Sequence, residues 1–380
     1  MSKLNSIDLF CGAGGTSTGL ISAGYSIEAG IDFDKQAINS FEHNHERTEA
    51  LHADITKIDE ERFKEHRNNL FLLNASPPCQ SFSNANRHSG EESEKDYMYR
   101  EVVRFAEYLQ PKYIMMENVR GMNKILGDVK RDFSGAGYEI ESILINSKNF
   151  GVPQNRNRLI FLGVRKDLAC IDPQMLLNKL KMELSSRKNS EKVPLEKTFW
   201  GLRELEPKSE KLQTEKESKK TGFTEDEIQK EGSPNDYIKK INQGETPDKV
   251  YNHKARYHNE RDQKIYELLP PGENAEHESI QDILPYKLGS FKDKYYKLHP
   301  EEVSKTITAH MSRDCNSYIH PEEDRGLTPR EAARIQSFPD DYRFLGPFTE
   351  WYRQIGNAVP PLLAKEIGEA IKSHHEKHIS

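Results

Sequence analysis

The stretch Asn74-Ala-Ser-Pro-Pro-Cys-Gln-Ser-Phe-Ser83 constrains the fold more than any other. It follows the short apolar run Leu70-Phe-Leu-Leu73, which reads as a buried strand. Pro77 and Pro78 then forbid helix and ladder pairing alike, because each lacks an N–H and fixes φ. Cys79 comes next. The chain thus holds one thiol on a stiff turn at a strand end, where open α/β sheets place ligands and chemistry. Cys79 is the expected nucleophile.

Other strand ends carry polar groups in the same way. Ser6 to Phe10 reads as a strand, Cys11-Gly-Ala-Gly-Gly15 as a glycine turn and Thr16 to Ala23 as a helix. In that order they form a nucleotide-binding turn: glycines let backbone approach a ligand, and the helix start offers free N–H groups. A second strand, Tyr25 to Ile31, ends at Asp32-Phe33-Asp34. An acid at this strand end, about twenty residues past the glycines, suits a ribose hydroxyl pair. Asp34 suits the N-cap of a helix from Lys35 to His43. Asp54 stands at a further strand end in Leu51-His-Ala-Asp-Ile-Thr56. Lys112 to Met116 forms a strand ending in Glu117-Asn118-Val119, which places an acid suited to donating a proton. A salt bridge to a structural arginine is the alternative for Glu117.

Tyr138 to Asn146 and Leu159 to Val164 read as two more strands. If the second begins early, period two puts Gln154, Arg156 and Arg158 on one face. Such forked groups suit a phosphate or the polar edge of a base. Tyr97 to Leu109 has apolar residues at helical spacing, and Asn84 to Glu94 is a polar loop that could act as a lid. Beyond Lys166 the chain becomes lysine- and glutamate-rich. Asp172 to Asn274 reads as an insertion, flexible especially over Lys208 to Gly232. Strand character returns at Ser304 to Ala309. Thr328, Pro329 and Glu331 then spell a capping box with proline at the first helical position. Gln354 to Pro361 leads into a final helix, Leu362 to Ile371.

Composition excludes several classes. With 35% hydrophobic and 31% charged residues, the chain has no apolar run long enough to cross a bilayer. Met1-Ser-Lys-Leu-Asn-Ser lacks the regions of a signal peptide. Cys11, Cys79, Cys170 and Cys315 form no CxxC pair, which argues against a zinc site or disulfide scaffold and fits a reducing cytoplasm. A net charge of −6 does not advertise nucleic-acid binding, but binding needs only a local basic face. The lysine runs Lys179-Leu-Lys181 and Lys216 to Lys220 read as solvated surface.

Taken in order, the motifs resemble the DNA (cytosine-5) methyltransferases. Asp8-Leu-Phe-Cys-Gly-Ala-Gly-Gly15 resembles the family's cofactor loop, and Pro77-Pro-Cys-Gln80 its nucleophile loop. Glu117-Asn-Val119 resembles its acid, Gln154 to Arg158 its Gln-x-Arg-x-Arg strand and Arg325 to Phe338 its organising helix. Gln354 to Pro361 resembles its closing Gly-Asn segment. The likeness covers roughly 4–165 and 296–372, and the middle corresponds by position to the variable target-recognition domain.

The resemblance implies an α/β fold: a Rossmann-like S-adenosylmethionine-dependent methyltransferase sheet with helices on both faces, plus a smaller mixed target-recognition domain. The catalytic domain would take 1–165 and 345–380, and target recognition 166–344 with the organising helix. By the same likeness, Cys79 would add to cytosine C6, Glu117 would sit at N3, Arg158 would hold O2, and Arg156 would orient the loop or a phosphate. S-adenosylmethionine would be the cofactor, with no metal. Phe10, Gly12 and Gly14 would form its turn, Asp32 would take the ribose and Asp54 the adenine amine. Phe33, where the family often has Trp, would pack on adenine, and Asn357 with Ala358 would meet the methionine end. The partner would be double-stranded DNA, the chain a monomer, and a cognate restriction endonuclease would act separately.

The chemistry suits these residue types. Cytosine C5 is a poor nucleophile until a thiolate adds at C6 and makes the ring an enamine, and cysteine is the side chain for that step. A base inside a duplex must be flipped out to be reached. Among rival readings, a transfer-RNA methyltransferase of this fold usually carries a Cys-Phe-Thr segment, which is missing here. A silent DNA-binding regulator would have lost the cysteine, the acid or the arginines, and all are present. A thiol hydrolase needs a histidine base, and no histidine falls near the strand ends that carry Cys79 and Glu117.

Overall fold

The computed structural model describes residues 3–78, 97–168, 170–189, 191–208, 210–211, 216–229, 232–245, 247–286 and 294–379. Cys79 and the expected lid, Asn84 to Glu94, lie outside the described residues. The chain forms two compact units: 1–150 with 156–190 and 359–380, and 151–155 with 191–358. These contact boundaries fall at 190 and 358, where the sequence reading puts domain limits at 165 and 344.

The first unit is built on a seven-stranded sheet. Its strands are β1 (Asn5–Leu9), β2 (Ser26–Asp32), β3 (Glu49–His52), β4 (Leu72–Ala75), β5 (Tyr113–Asn118), β6 (Tyr138–Asn146) and, after the two-residue β7 (Gln154–Asn155), β8 (Asn157–Arg165). The order across the sheet is β3-β2-β1-β4-β5-β8-β6. Strands β1 to β5 pair in parallel, and β8 runs antiparallel to both β5 and β6. Parallel strands are buried on both faces, hence the near-continuous apolar runs at 70–73 and 113–116.

Alternate residues of β5 face two different layers. Ile114 and Met116 join the cluster of α3 (Tyr99–Leu109) and α4 (Leu126–Gly135), through Phe105, Val129 and Phe133. Tyr113 meets His374 and His375 of α10 (Pro361–His378) on the other face. That helix packs on α1 (Gly15–Ser22) and on α5 (Pro173–Ser186). Gly19 permits the first contact, since a Cβ there would lie 2.2 Å from the Pro361 carbonyl. The sheet with helices on both faces is the Rossmann-like architecture expected. Helix α2 (Lys35–Asn44) is capped as read: Asp34 accepts from Gln36 N at 2.9 Å and from Ala37 N. Helix α5 lies within Asp172 to Asn274, the stretch read as an insertion, and packs on β6 and β8 in the sheet's own unit.

The second unit holds the antiparallel pair β9 (Gly222–Glu227) and β10 (Lys249–Lys254) and helices α6 (Asp236–Ile241), α7 (Glu260–Leu268), α8 (Pro329–Ile335) and α9 (Phe348–Asn357). Within Lys208 to Gly232, the stretch expected to be flexible, residues 222–227 form β9, which makes five cross-strand pairs with β10. The strand expected at Ser304 to Ala309 shortens to β11 (Ser304–Lys305), which pairs with β7. A 3-10 turn at Ala309–Ser312 follows. Helix α8 has the capping box the sequence spells, with Thr328 Oγ1 accepting from Glu331 N and Glu331 Oε2 accepting from Thr328 N at 2.7 Å. No helix among the described residues is long and apolar enough to cross a membrane.

Candidate active site

The strand order decides where a site can form. From β1 the chain runs outward through β2 and β3, then returns to lay β4 on the other side of β1. Connections diverge at this switch point and leave a crevice beyond the strand ends, where α/β sheets bind ligands. Two turns meet there, one after β1 and one after β4.

The first turn is the glycine turn. Phe10, Gly12 and Gly14 all have positive φ (57°, 53° and 82°), a conformation that glycine adopts without strain. A Cβ on Gly14 would come within 2.4 Å of the His45 ring, whereas one on Gly12 would meet nothing within 4 Å. The backbone at Gly12 therefore borders open space. Asp32, at the end of β2, holds this turn: its Oδ2 accepts from Gly12 N and its Oδ1 from Asp34 N, each at 2.8 Å. Burial pushes the Asp32 carboxyl above its ordinary range, against the pull of those backbone donors. Phe33 is 75% exposed, an uncovered aromatic face beside the acid. Asp54 caps a 3-10 turn at Ile55–Lys57, accepting from Thr56 Oγ1 at 2.8 Å and Thr56 N at 3.1 Å. These bonds from Thr56 hold its carboxyl below the usual range. An open glycine turn, an acid with spare lone pairs, an exposed ring and a second acid fit a nucleoside.

The second turn leads to Cys79. Ser76 N donates to Leu9 O at 3.1 Å, and Asn118 Nδ2 donates to the Pro77 carbonyl at 3.1 Å. The backbone is thus pinned to the ends of β1 and β5 up to the residue before Pro78. Glu117, next to Asn118, meets Arg158: Nε to Oε1 is 2.8 Å, with the side chains only 18% and 13% exposed. The antiparallel register brings them together, since Glu117 pairs with Ile160 and Asn118 with Leu159 at the start of β8. The alternative anticipated for Glu117, an arginine partner, is therefore what the fold supplies.

Other expected groups are placed differently. Gln154, Arg156 and Arg158 do not share one strand, because the chain breaks between β7 and β8. Gln154 bonds within the second unit, donating to Gln336 Oε1 at 2.7 Å and accepting from Ile307 N at 2.8 Å. Arg156 is 2% exposed, and its carbonyl accepts from Ser147 N. Asn357 and Ala358 end α9 in the second unit, where the Ala358 carbonyl accepts from Gln336.

Sequence reasoning gave Asn118 and Asp8 no role of their own. Asn118 was legible in principle as a polar residue directly after an acid at a strand end. Cys11 lies in the glycine turn, but burial, with Asp8 and Asp32 nearby, pushes its thiol well above the ordinary range and keeps it neutral. His320, Glu323 and Glu331 in the second unit lie close enough for a cation, but Arg325 bridges the two acids at 2.9 and 2.7 Å and fills that position.

The model of the family described as C-5 cytosine-specific DNA methylase matches residues 4–373. The Type II methyltransferase M.DdeI of Desulfomicrobium norvegicum is 31% identical, over 98% of this chain and 89% of its own length. The Type II methyltransferase M1.HphI of Haemophilus parahaemolyticus is 29% identical, over 97% and 87%. Among solved structures, a protein described as a DNA modification methyltransferase encoded within a prophage in E. coli superposes with TM-score 0.72 at 24% identity, covering 98% of this chain and 99% of that one. The S. pombe Dnmt2 methyltransferase shares the fold with TM-score 0.56 at 14% identity, over 98% and 99%. The chain belongs to the C-5 cytosine-specific DNA methylase family and is a DNA (cytosine-5) methyltransferase.

Proposed function

We propose that the chain methylates C5 of one cytosine within a short duplex sequence, through addition of the Cys79 thiolate to C6. The observation that carries this reading is the pinning of the Pro77 carbonyl by Asn118, whose neighbour Glu117 is paired with Arg158. The backbone up to Pro78, one residue before Cys79, thereby shares one sheet edge with an acid and a guanidinium. In this reading Glu117 stabilises the charge that develops at cytosine N3, and Arg158 holds both Glu117 and the cytosine O2. Arg156, buried beside β8, keeps the strand start in place.

S-adenosylmethionine supplies an electrophilic methyl group when bound. Its adenosine would be held by Phe10, Asp32, Phe33 and Asp54 around the turn of Gly12 and Gly14, with Asn357 and Ala358 toward its methionine end. Thiolate addition at C6 would make C5 nucleophilic; C5 would take the methyl group, the sulfonium leaving as the thioether S-adenosylhomocysteine, and loss of the C5 proton to water would expel the thiolate. The target base leaves the duplex for this chemistry, at a cost of a few kcal/mol recovered in the pocket. The second unit, which makes up most of 166–344, would read the target sequence. The Type II methyltransferase relatives support a modification role in restriction-modification; in this reading the chain would act as a monomer, apart from a cognate endonuclease.

Bisulfite sequencing of DNA from expressing cells tests the activity and reads its target. Cys79→Ala should lower methyl transfer by on the order of a thousandfold or more, as loss of a nucleophile does, while DNA binding survives. Duplex DNA carrying 5-fluorocytosine should form a denaturation-resistant adduct, because no C5 proton can leave. Wild-type turnover by Cys79→Ala would exclude the nucleophile assignment.

A further inference from the structure

Asp8 is the buried acid that the chemistry above leaves unused. It lies in the middle of β1, 1% exposed, between the core residues Ile7 and Leu9. The sheet register sets it directly beside Asn74 of β4, which is fully buried. Asn74 Nδ2 donates to Asp8 Oδ1 at 2.5 Å, and Ser17 Oγ donates to Asp8 Oδ2 at 2.6 Å. Ser17, also fully buried, is in the first turn of α1, the helix that begins at the glycine turn. Asn74 stands five positions before Cys79. Each carboxylate oxygen therefore reaches a different turn of the switch point.

We propose that Asp8 is a positioning residue that sets the nucleophile turn against the cofactor turn, holding Asn74 with one oxygen and Ser17 with the other. An apolar pair at Asp8 and Asn74 would fill the same space without burying a charge or an amide. A buried acid costs stability unless its partners return something specific. Among the described residues, the groups acting on it are Ser17, Asn74 and the like-charged Asp32, with no lysine or arginine. Asn74 Oδ1 is itself buried without a hydrogen-bond partner among the described residues. The amide is thus held through its contact with Asp8. The Ser76–Leu9 backbone bond clamps the same two strands one step further on. Main chain and side chain together fix the strand end that leads into Pro77 and Pro78.

The inference rests on the Cys79 reading, and the two fail differently. Adduct formation on 5-fluorocytosine DNA by the wild-type enzyme tests Cys79, and it also titrates the folded, competent fraction of each variant. Kinetics per competent site then test Asp8. Asn74→Ala should lower kcat about tenfold or more at saturating S-adenosylmethionine, the scale on which small misplacement of reacting groups slows a reaction. Ser17→Ala should chiefly raise the calorimetric Kd for S-adenosylmethionine, and Asp8→Ala should do both. Asp8→Asn should restore both parameters to within about threefold of wild type, because its amide can donate to Asn74 Oδ1 and accept from Ser17. Loss of melting temperature with kcat and Kd at wild-type values would overturn the inference. So would equal loss of both parameters in all three alanine variants.

Discussion

Burial pushes the Asp8 carboxyl up to about 7, against the hydrogen bonds from Ser17 and Asn74, and Asp32 adds to the push. The sign of its effect on stability follows. Below the ordinary carboxylate range both folded and unfolded chains hold this proton. Between about pH 4 and about pH 7 the unfolded chain ionises first, so the folded state loses stability as pH rises. Keeping the proton bound across that span corresponds to roughly 4 kcal/mol. Asp8→Asn cannot titrate. The unfolding free energy of the wild type minus that of Asp8→Asn should therefore fall by roughly 4 kcal/mol between about pH 4 and about pH 8, read by urea denaturation. A constant difference would exclude a buried proton at Asp8. The sequence reading quoted Asp8 and Asn118 in motifs but gave neither a role of its own, for one physical reason: each meets a residue distant in sequence but adjacent in the sheet. The end of β4 before Pro77 and Pro78 was legible because the apolar run and the two prolines act locally. The glycine turn and Asp32 were legible because their spacing reflects one strand–turn–helix–strand unit.

At the scale of elements, α8 concentrates the second unit's polar core. All seven of its residues are buried, Arg330, Glu331 and Arg334 among them. Arg334 is held by Asp340 at 2.7 Å and by the carbonyls of Thr198 and Trp200. Arg330 donates to the carbonyls of Tyr251 and Pro339. Burial works against the Asp340 carboxylate, but Arg334 outweighs it and holds the group below its usual range. Asp340→Ala would leave a buried guanidinium without its counter-ion and should cost about 3–5 kcal/mol in chemical denaturation. Thr328→Ala should cost less, about 2 kcal/mol, since it removes the cap bond and a neutral bond to the His253 ring. Equal costs would mean that the ion pair contributes no more than the cap. The capping box was readable because it is local. The ion pair was not, because Asp340 looks like any loop acid until the chain folds back.

For the whole molecule, six buried histidines set the acid limit. Burial lowers His258 and His320 to about 3, and His45, His253, His374 and His375 to about 4. A neutral folded histidine gains its proton only on unfolding, so stability is full above about pH 6.5 and is lost as pH falls toward these values. Glu331 acts in the same direction: burial opposes its charge, but Arg325 holds it well below the carboxylate range. The melting temperature should drop steeply from about pH 7 to about pH 4.5, with unfolding at about pH 5 taking up several protons. His320→Asn should flatten the drop, and an unchanged slope would mean that His320 is not buried neutral.

The sequence by itself determined whatever local covalent geometry can specify. Proline and glycine fixed the two turns, apolar runs fixed the buried strands, and cap residues fixed where helices start. Motif order then identified the family, since six short patterns in one order rarely coincide. Only the tertiary structure decided which of these residues meet. Strand order put β4 beside β1 and so joined Asp8 to Asn74, and antiparallel β8 brought Arg158 to Glu117. The same folding assigned α5 to the sheet's unit and Gln154 to the other. Such pairings depend on contacts between residues far apart in the chain, and neither period nor spacing along the chain encodes them.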